Sequence, residues 1–543
     1  MRIFTFFLTI YACLGLISCS VDEININNNS QSELTNLIEQ KSPYSMDIML
    51  DAYNYVKGNT TRGADINPSE VIPTHRYIKF TPKNRFQVDA LNEHYTLYTF
   101  PLNEIPQSKS NNVINPLSND GSLYAMIEYN AILPDSITFE EIGCYHNPSK
   151  SNLIIDEDLT EEVTRTAYAI ASLGDPTRAS ELTPWRPSGT IRIWDDLTND
   201  YIPMESLQVE IFHSQSTQSY TTETDENGYF VGKISFYDDV SYVIHWKGDE
   251  WAIKYDDVTP AITISSASRY NNFDLQINKN HIGAYYAGTI YRAATFYWHF
   301  ASPYTPPTMS EDVRITCYNE SSSGEPYNAI GLFYPNDREA NEPIIEIWCK
   351  NHTSESIIST TFHELAHAAH LANAGNNRYY NTARIIKESW ARYIQYKLVD
   401  KLYSFLSYIT NIEYTSLLHI KKIMCCDNEQ CFIEYTPDEH NIQYWYYNQY
   451  PDLNIYSPLF IDIADGFNQR SWFQEYNLSY INDIPNDKIR IANGELIEDL
   501  VFNNATVSDV KNDLIEYITI NDLNISMEDI NDLFEVYERI QNI

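Results

Sequence analysis

Residues 359–375 read STTFHELAHAAHLANAG, a stretch with few ways to fold. On a helix, positions four apart share a face, so His363 and His367 project together from successive turns. Glu364 is rotated from His363 by about 100° and stands beside that face. Ile357, Ile358, Phe362, Leu365 and Ala366 supply the apolar side of an amphipathic helix. Ser359 or Thr360 suits its start, and Gly375 suits a C-terminal stop. Two imidazoles on one face with a carboxylate at their side make the beginning of a divalent metal site.

A zinc site with a position open for water takes three protein ligands. Residues 378–399, RYYNTARIIKESWARYIQYKLV, read as a second amphipathic helix. Twenty residues lie between His367 and Glu388, enough for the first helix to end, turn and return antiparallel with a carboxylate at the metal. His370 is the competing donor, seven residues after His363 and nearly on the same face.

His363-Glu364-Leu365-Ala366-His367 matches the H-E-x-x-H pattern of zinc metalloproteases. Followed by Glu388-Ser389-Trp390-Ala391, an E-x-x-A on a later helix, it resembles the gluzincin metallopeptidases. The resemblance is strong over residues 355–395 and vague elsewhere. It implies one Zn²⁺ per chain on His363, His367 and Glu388, with Glu364 as general base and proton shuttle. It also implies water-driven hydrolysis of a peptide bond in a protein or peptide substrate. Metzincins use H-E-x-x-H-x-x-G-x-x-H instead. Here His370 stands where that pattern has Gly and Asn373 where it has His, so His370 is expected to support the ligands or touch substrate. The strand-like PIIEIWC (343–349) fits the zincin layout, in which an edge strand above the cleft takes an extended peptide. A transition-state donor is expected from HNIQYWYYNQY (440–450), with His440, Tyr444, Tyr446 and Tyr447 as candidates. Two other functions fit the same residues: a non-catalytic glycan- or peptide-binding lipoprotein descended from a peptidase, and a zinc hydrolase of non-peptide bonds. Retention of Glu364, which zinc binding alone does not need, argues against the first.

The chain opens MRIFTFFLTIYACLGLISC, with Arg2 ahead of an apolar run too short for a membrane span. Leu16-Ile17-Ser18-Cys19 resembles a bacterial lipobox, which implies a signal peptide over 1–18 and a lipid anchor on Cys19. The Ser-Val-Asp-Glu that follows resembles the acidic tetrads of surface-exposed Bacteroidetes lipoproteins. The expected location is therefore the outer membrane, facing the surface or the periplasm. Residues 19–43 are polar and Asn-rich, as a tether would be.

The remainder reads as a multidomain protein. Residues 44–150 mix helix and strand signals, a small α/β domain, and 151–186 form a connector. Short alternating strands over 187–275 read as a β-sandwich. Its Thr224-Asp225-Glu226-Asn227-Gly228-Tyr229-Phe230 resembles the hairpin of carboxypeptidase regulatory-like, transthyretin-type domains, with Asn-Gly supplying positive φ angles. Residues 276–543 are mainly helical with a few strands, the α+β zincin-like domain. A net charge of −38 repels phosphate backbones and rules out nucleic acid as a partner. Cys317 and Cys349 sit in strand-like segments suited to cross-strand pairing, and CCDNEQC (425–431) can close a small loop.

Overall fold

A computed structural model describes residues 42–541 apart from several segments, those of eight residues or more being 103–120, 301–312, 321–330, 336–343, 411–420, 435–446, 449–458 and 471–485. The expected signal, Cys19 and the expected tether up to residue 41 lie outside the described residues. Among the described residues, no helix is long and apolar enough to cross a membrane. The chain is mixed α and β and multidomain, with helices and several sheets.

In the N-terminal part, α1 (Met46–Asn59) buries Ile48, Met49, Ala52, Tyr53 and Val56, spaced to fall on one face. Three antiparallel strands follow, β1 (His75–Phe80), β2 (Leu123–Glu128) and β3 (Phe139–Tyr145), with β1 in the centre. Helix α2 (Arg85–Asn92) sets Val88 and Leu91 against Ile78, Phe80 and Ile127 of that sheet. The strand-like TLYTF makes only a bridge, Tyr98 to Tyr124. Helix α3 (Glu157–Leu173) starts on the Asp156 cap and stops at Gly174, whose φ is +70°. Its Leu159, Val163 and Tyr168 share a core with α1, so most of the expected connector is packed structure.

Ten strands follow: β4 (Ser188–Asp195), β5 (Asp200–Pro203), β6 (Gln208–His213), β7 (Ser219–Glu223), β8 (Tyr229–Val231), β9 (Val240–His245), β10 (Trp251–Tyr255), β11 (Thr259–Pro260), β12 (Ile262–Ala267) and β13 (Phe273–Ile277). One sheet runs β12-β9-β6-β7; the other runs β13-β4-β5, with β8 also on β4. They meet through rings, Tyr242 of β9 stacking on Phe273 of β13 at 4.2 Å. The hairpin at Asp225 differs from the expected one. Asn227 is not among the residues with positive φ, and Gly228 alone carries it, at +73°. The turn is held by the Asp225 carboxylate, which accepts from the Asn227 and Tyr229 amides. A Cβ on Gly228 would sit 2.4 Å from the Ile191 carbonyl, so close approach to β4 also requires glycine here.

Two of these strands serve the next part of the chain. β10 and β11 join a five-stranded sheet, β11-β10-β14-β16-β15, with β14 (Val313–Tyr318), β15 (Gly331–Tyr334) and β16 (Ile344–Trp348). β10, β14 and β16 are parallel; β15 runs antiparallel at the edge. The strand expected to border the cleft, β16, is therefore interior, and β15 takes the edge. Helices α4 (Ile282–Phe300), α5 (Ser354–Asn381) and α6 (Arg384–Thr410) bury one apolar core with this sheet, followed by α7 (Leu459–Asp465), α8 (Gly494–Asn503), α9 (Val507–Ile520) and α10 (Met527–Gln541). Cys317 and Cys349 are buried with their sulfurs 3.8 Å apart. In the hairpin of β17 (Lys421–Cys425) and β18 (Gln430–Glu434), Cys425 is opposite Cys431.

Two adjacent aspartates at the end of β4 fasten the sandwich to these helices. Asp195 is buried and accepts from Arg292 Nη1 of α4 at 2.6 Å and Tyr403 Oη of α6 at 3.0 Å. Asp196 accepts the Ser354 amide at 2.9 Å, satisfying a free N–H at the start of α5, and takes Tyr285 Oη and Lys279 besides.

Candidate metal centre

The site is built on α5. Thr353 caps its N-terminus, its Oγ1 accepting from the Ser356 amide, so the helix begins earlier than the Ser359/Thr360 start the sequence suggests. Gly375 interrupts the helical backbone with φ +73°, as expected of a stop, although a short helical piece continues to Asn381. The first segment is clamped from both sides. Tyr297 of α4 donates to the Leu365 carbonyl at 3.2 Å, and Trp390 of α6 donates to the Ala366 carbonyl at 2.9 Å. Ala391, fully buried, lets α6 lie against α5.

This clamp brings three donors together. His363 Nε2 and His367 Nε2 are 3.2 Å apart, and Glu388 Oε2 stands 3.3 Å from the first and 3.8 Å from the second. One atom from each of His363, His367 and Glu388 lies within 4.8 Å of the others, a group that can hold a metal ion. Both histidines are buried, while Glu388 keeps about a quarter of its side chain in contact with solvent. Two neutral-capable imidazoles and a carboxylate from a facing helix are the donor types of an open zinc site, so the residues fit that ion.

The electrostatics separate the two glutamates. Burial raises Glu364 to about 7. Burial works in the same direction on Glu388, but its contacts with the His363 and His367 rings outweigh it and hold its carboxyl well below the usual range. Burial lowers His363 to about 4, keeping its imidazole neutral at pH 7. On His367 burial is opposed by contact with Glu388, and the net shift is upward.

The roof is β15. A Cβ on Gly331 would fall 2.4 Å from Thr360 Cγ2 and 3.0 Å from Glu364 Cγ and Oε1, so this strand lies directly against the Glu364 side chain. Phe333, two residues on, stacks its ring over His367 with centroids 6.2 Å apart. Neither residue is visible as functional in the sequence, because each gains its place through strand register. His370 is elsewhere: it is wholly buried between the rings of Tyr379 and Phe502, and neither of its ring nitrogens has a partner among the described residues. It does not join the three-donor group. The side chains of His440, Tyr444, Tyr446 and Tyr447 lie outside the described residues.

No protein-family profile matches this chain, and no curated protein matches it. Among solved structures, a 9R-lipoxygenase from Cyanothece is similar at 14% identity over 35% of this chain and 24% of that one, with a TM-score of 0.12. At that score the likeness carries no argument about fold or chemistry.

Proposed function

We propose that the chain is a zinc-dependent peptidase of the gluzincin type. The observation that carries the reading is the meeting of His363, His367 and Glu388 beside a buried, unligated Glu364 under an edge strand. Zn²⁺ on those three residues would supply a Lewis acid that acidifies water and polarises a substrate carbonyl. The other roles fall to the chain itself. Glu364, next in sequence to a ligand and desolvated, takes a proton from the attacking water and delivers it to the leaving nitrogen. β15 pairs with β16 on one side and, among the described residues, with no strand on the other. An extended peptide can add there through backbone hydrogen bonds, with its scissile bond carried past Glu364. Gly331 keeps that approach narrow and Phe333 holds the His367 ring in its plane. The location that accompanies this reading is the outer membrane, through a lipid on Cys19.

The test is a proteome-derived peptide library incubated with the purified protein, with and without chelator. Chelator-sensitive cleavage between amino acids supports the reading. Intact peptides with the zinc-loaded protein would overturn it.

A further inference from the structure

Gln395 lies on α6, seven residues after Glu388 and thus close to two turns along on the same face. Its side chain makes three hydrogen bonds. Oε1 is 3.2 Å from His363 Nδ1 and 3.1 Å from Arg392 Nη1; Nε2 is 2.5 Å from Ser359 Oγ. An arginine can only donate, so the amide atom it faces must be the oxygen. That fixes the orientation of the amide independently of the histidine. The same oxygen then faces His363 Nδ1, and that nitrogen must be the one that carries the proton.

We infer that Gln395, held in place by Arg392 and Ser359, is the positioning residue that locks His363 in its Nδ1–H tautomer and so reserves Nε2 for the metal. This rests on the reading of His363 as a zinc ligand. The atom so reserved is the one 3.3 Å from Glu388 Oε2 and 3.2 Å from His367 Nε2. His367 shows the contrast. Its Nδ1 is buried with no partner among the described residues, so nothing described fixes its tautomer. The two histidine ligands are therefore unequal: His363 is prepared in advance, and His367 is oriented by ring stacking with Phe333. Partners that hold the far nitrogen of a ligating histidine typically change metal affinity about 10–100-fold when removed.

The experiment uses the full-length protein labelled with ring-¹⁵N histidine, stripped of metal, and compared with Gln395→Leu and Gln395→Glu. The ring nitrogens are read at neutral pH, with His363 assigned by its substitution. Zinc affinity is measured separately by competition with a chromophoric chelator. Wild type should show His363 in the Nδ1–H form. Gln395→Leu should lose that preference and bind zinc about 10–100-fold more weakly. Gln395→Glu keeps an acceptor at the same place, so it should restore the tautomer and bind zinc at least as tightly as wild type. An Nε2–H tautomer in the wild type, or unchanged tautomer and affinity in Gln395→Leu, would overturn the inference. Wild-type protein in the Nδ1–H form that takes up no zinc would support the tautomer assignment and remove the metal reading instead.

Discussion

Glu364 and Glu388 carry the same carboxyl group, and their surroundings shift it in opposite directions. Burial raises the first to about 7, while two imidazoles hold the second well below the usual range. A carboxyl poised near neutrality is suited to taking and returning a proton, and one held ionised is suited to ligation. Glu364→Gln is expected to keep zinc and lose at least 10²-fold in hydrolysis, read by peptide cleavage alongside elemental analysis. Gly331→Ala should lower turnover by roughly tenfold or more with zinc retained, because overpacking by one methyl forces neighbouring side chains aside, and here the neighbours are Thr360 and Glu364. Unchanged turnover in Gly331→Ala would show that β15 does not constrain Glu364. Spacing along one helix made His363, Glu364 and His367 legible in the sequence. Gln395 was legible in principle, since it repeats the Glu388 face two turns on. Gly331 and Phe333 were not, because their positions depend on how β15 registers against β16.

Element by element, α5 is held at its N-terminus by the end of β4. Asp195 is a buried anion matched to buried Arg292, and removing one member of such a pair leaves the other charge uncompensated. Asp195→Ala is expected to cost about 3–5 kcal/mol in denaturant unfolding. Glu355, in the first turn of α5, is raised to about 7 by burial and by Asp195 and Asp196. Its folded pKa lies above its unfolded one, so its contribution to stability is complete below about pH 4.5 and is lost as pH rises through 7. Glu355→Gln should therefore be more stable than wild type at pH 8, by on the order of 2 kcal/mol after allowance for partial exposure, and nearly equal at pH 4. Thermal melts at the two pH values check the sign. Helix α5 could be placed from apolar spacing. The Asp195–Arg292 pair could not, since its members are far apart in sequence and meet only once the sandwich docks.

For the whole molecule, the arrangement of sheets matters more than the count of segments. Of the strands expected to form one sandwich, eight make its two sheets and β10 and β11 join a third, so β10 carries the continuity from the sandwich to the sheet above α5. The N-terminal part joins the sandwich through Tyr98, whose hydroxyl donates to buried Glu210, itself 2.8 Å from His245. Alternation and turn residues identify strands but not their partners, which is why the sequence boundary at 275 falls inside a shared architecture. Zinc content by elemental analysis after exhaustive dialysis reads the metal centre itself. Wild type, Glu364→Gln and His370→Ala should each hold about one zinc per chain, and Glu388→Ala almost none. Zinc retained by Glu388→Ala but lost from His370→Ala, or absent from the wild type, would contradict this metal centre.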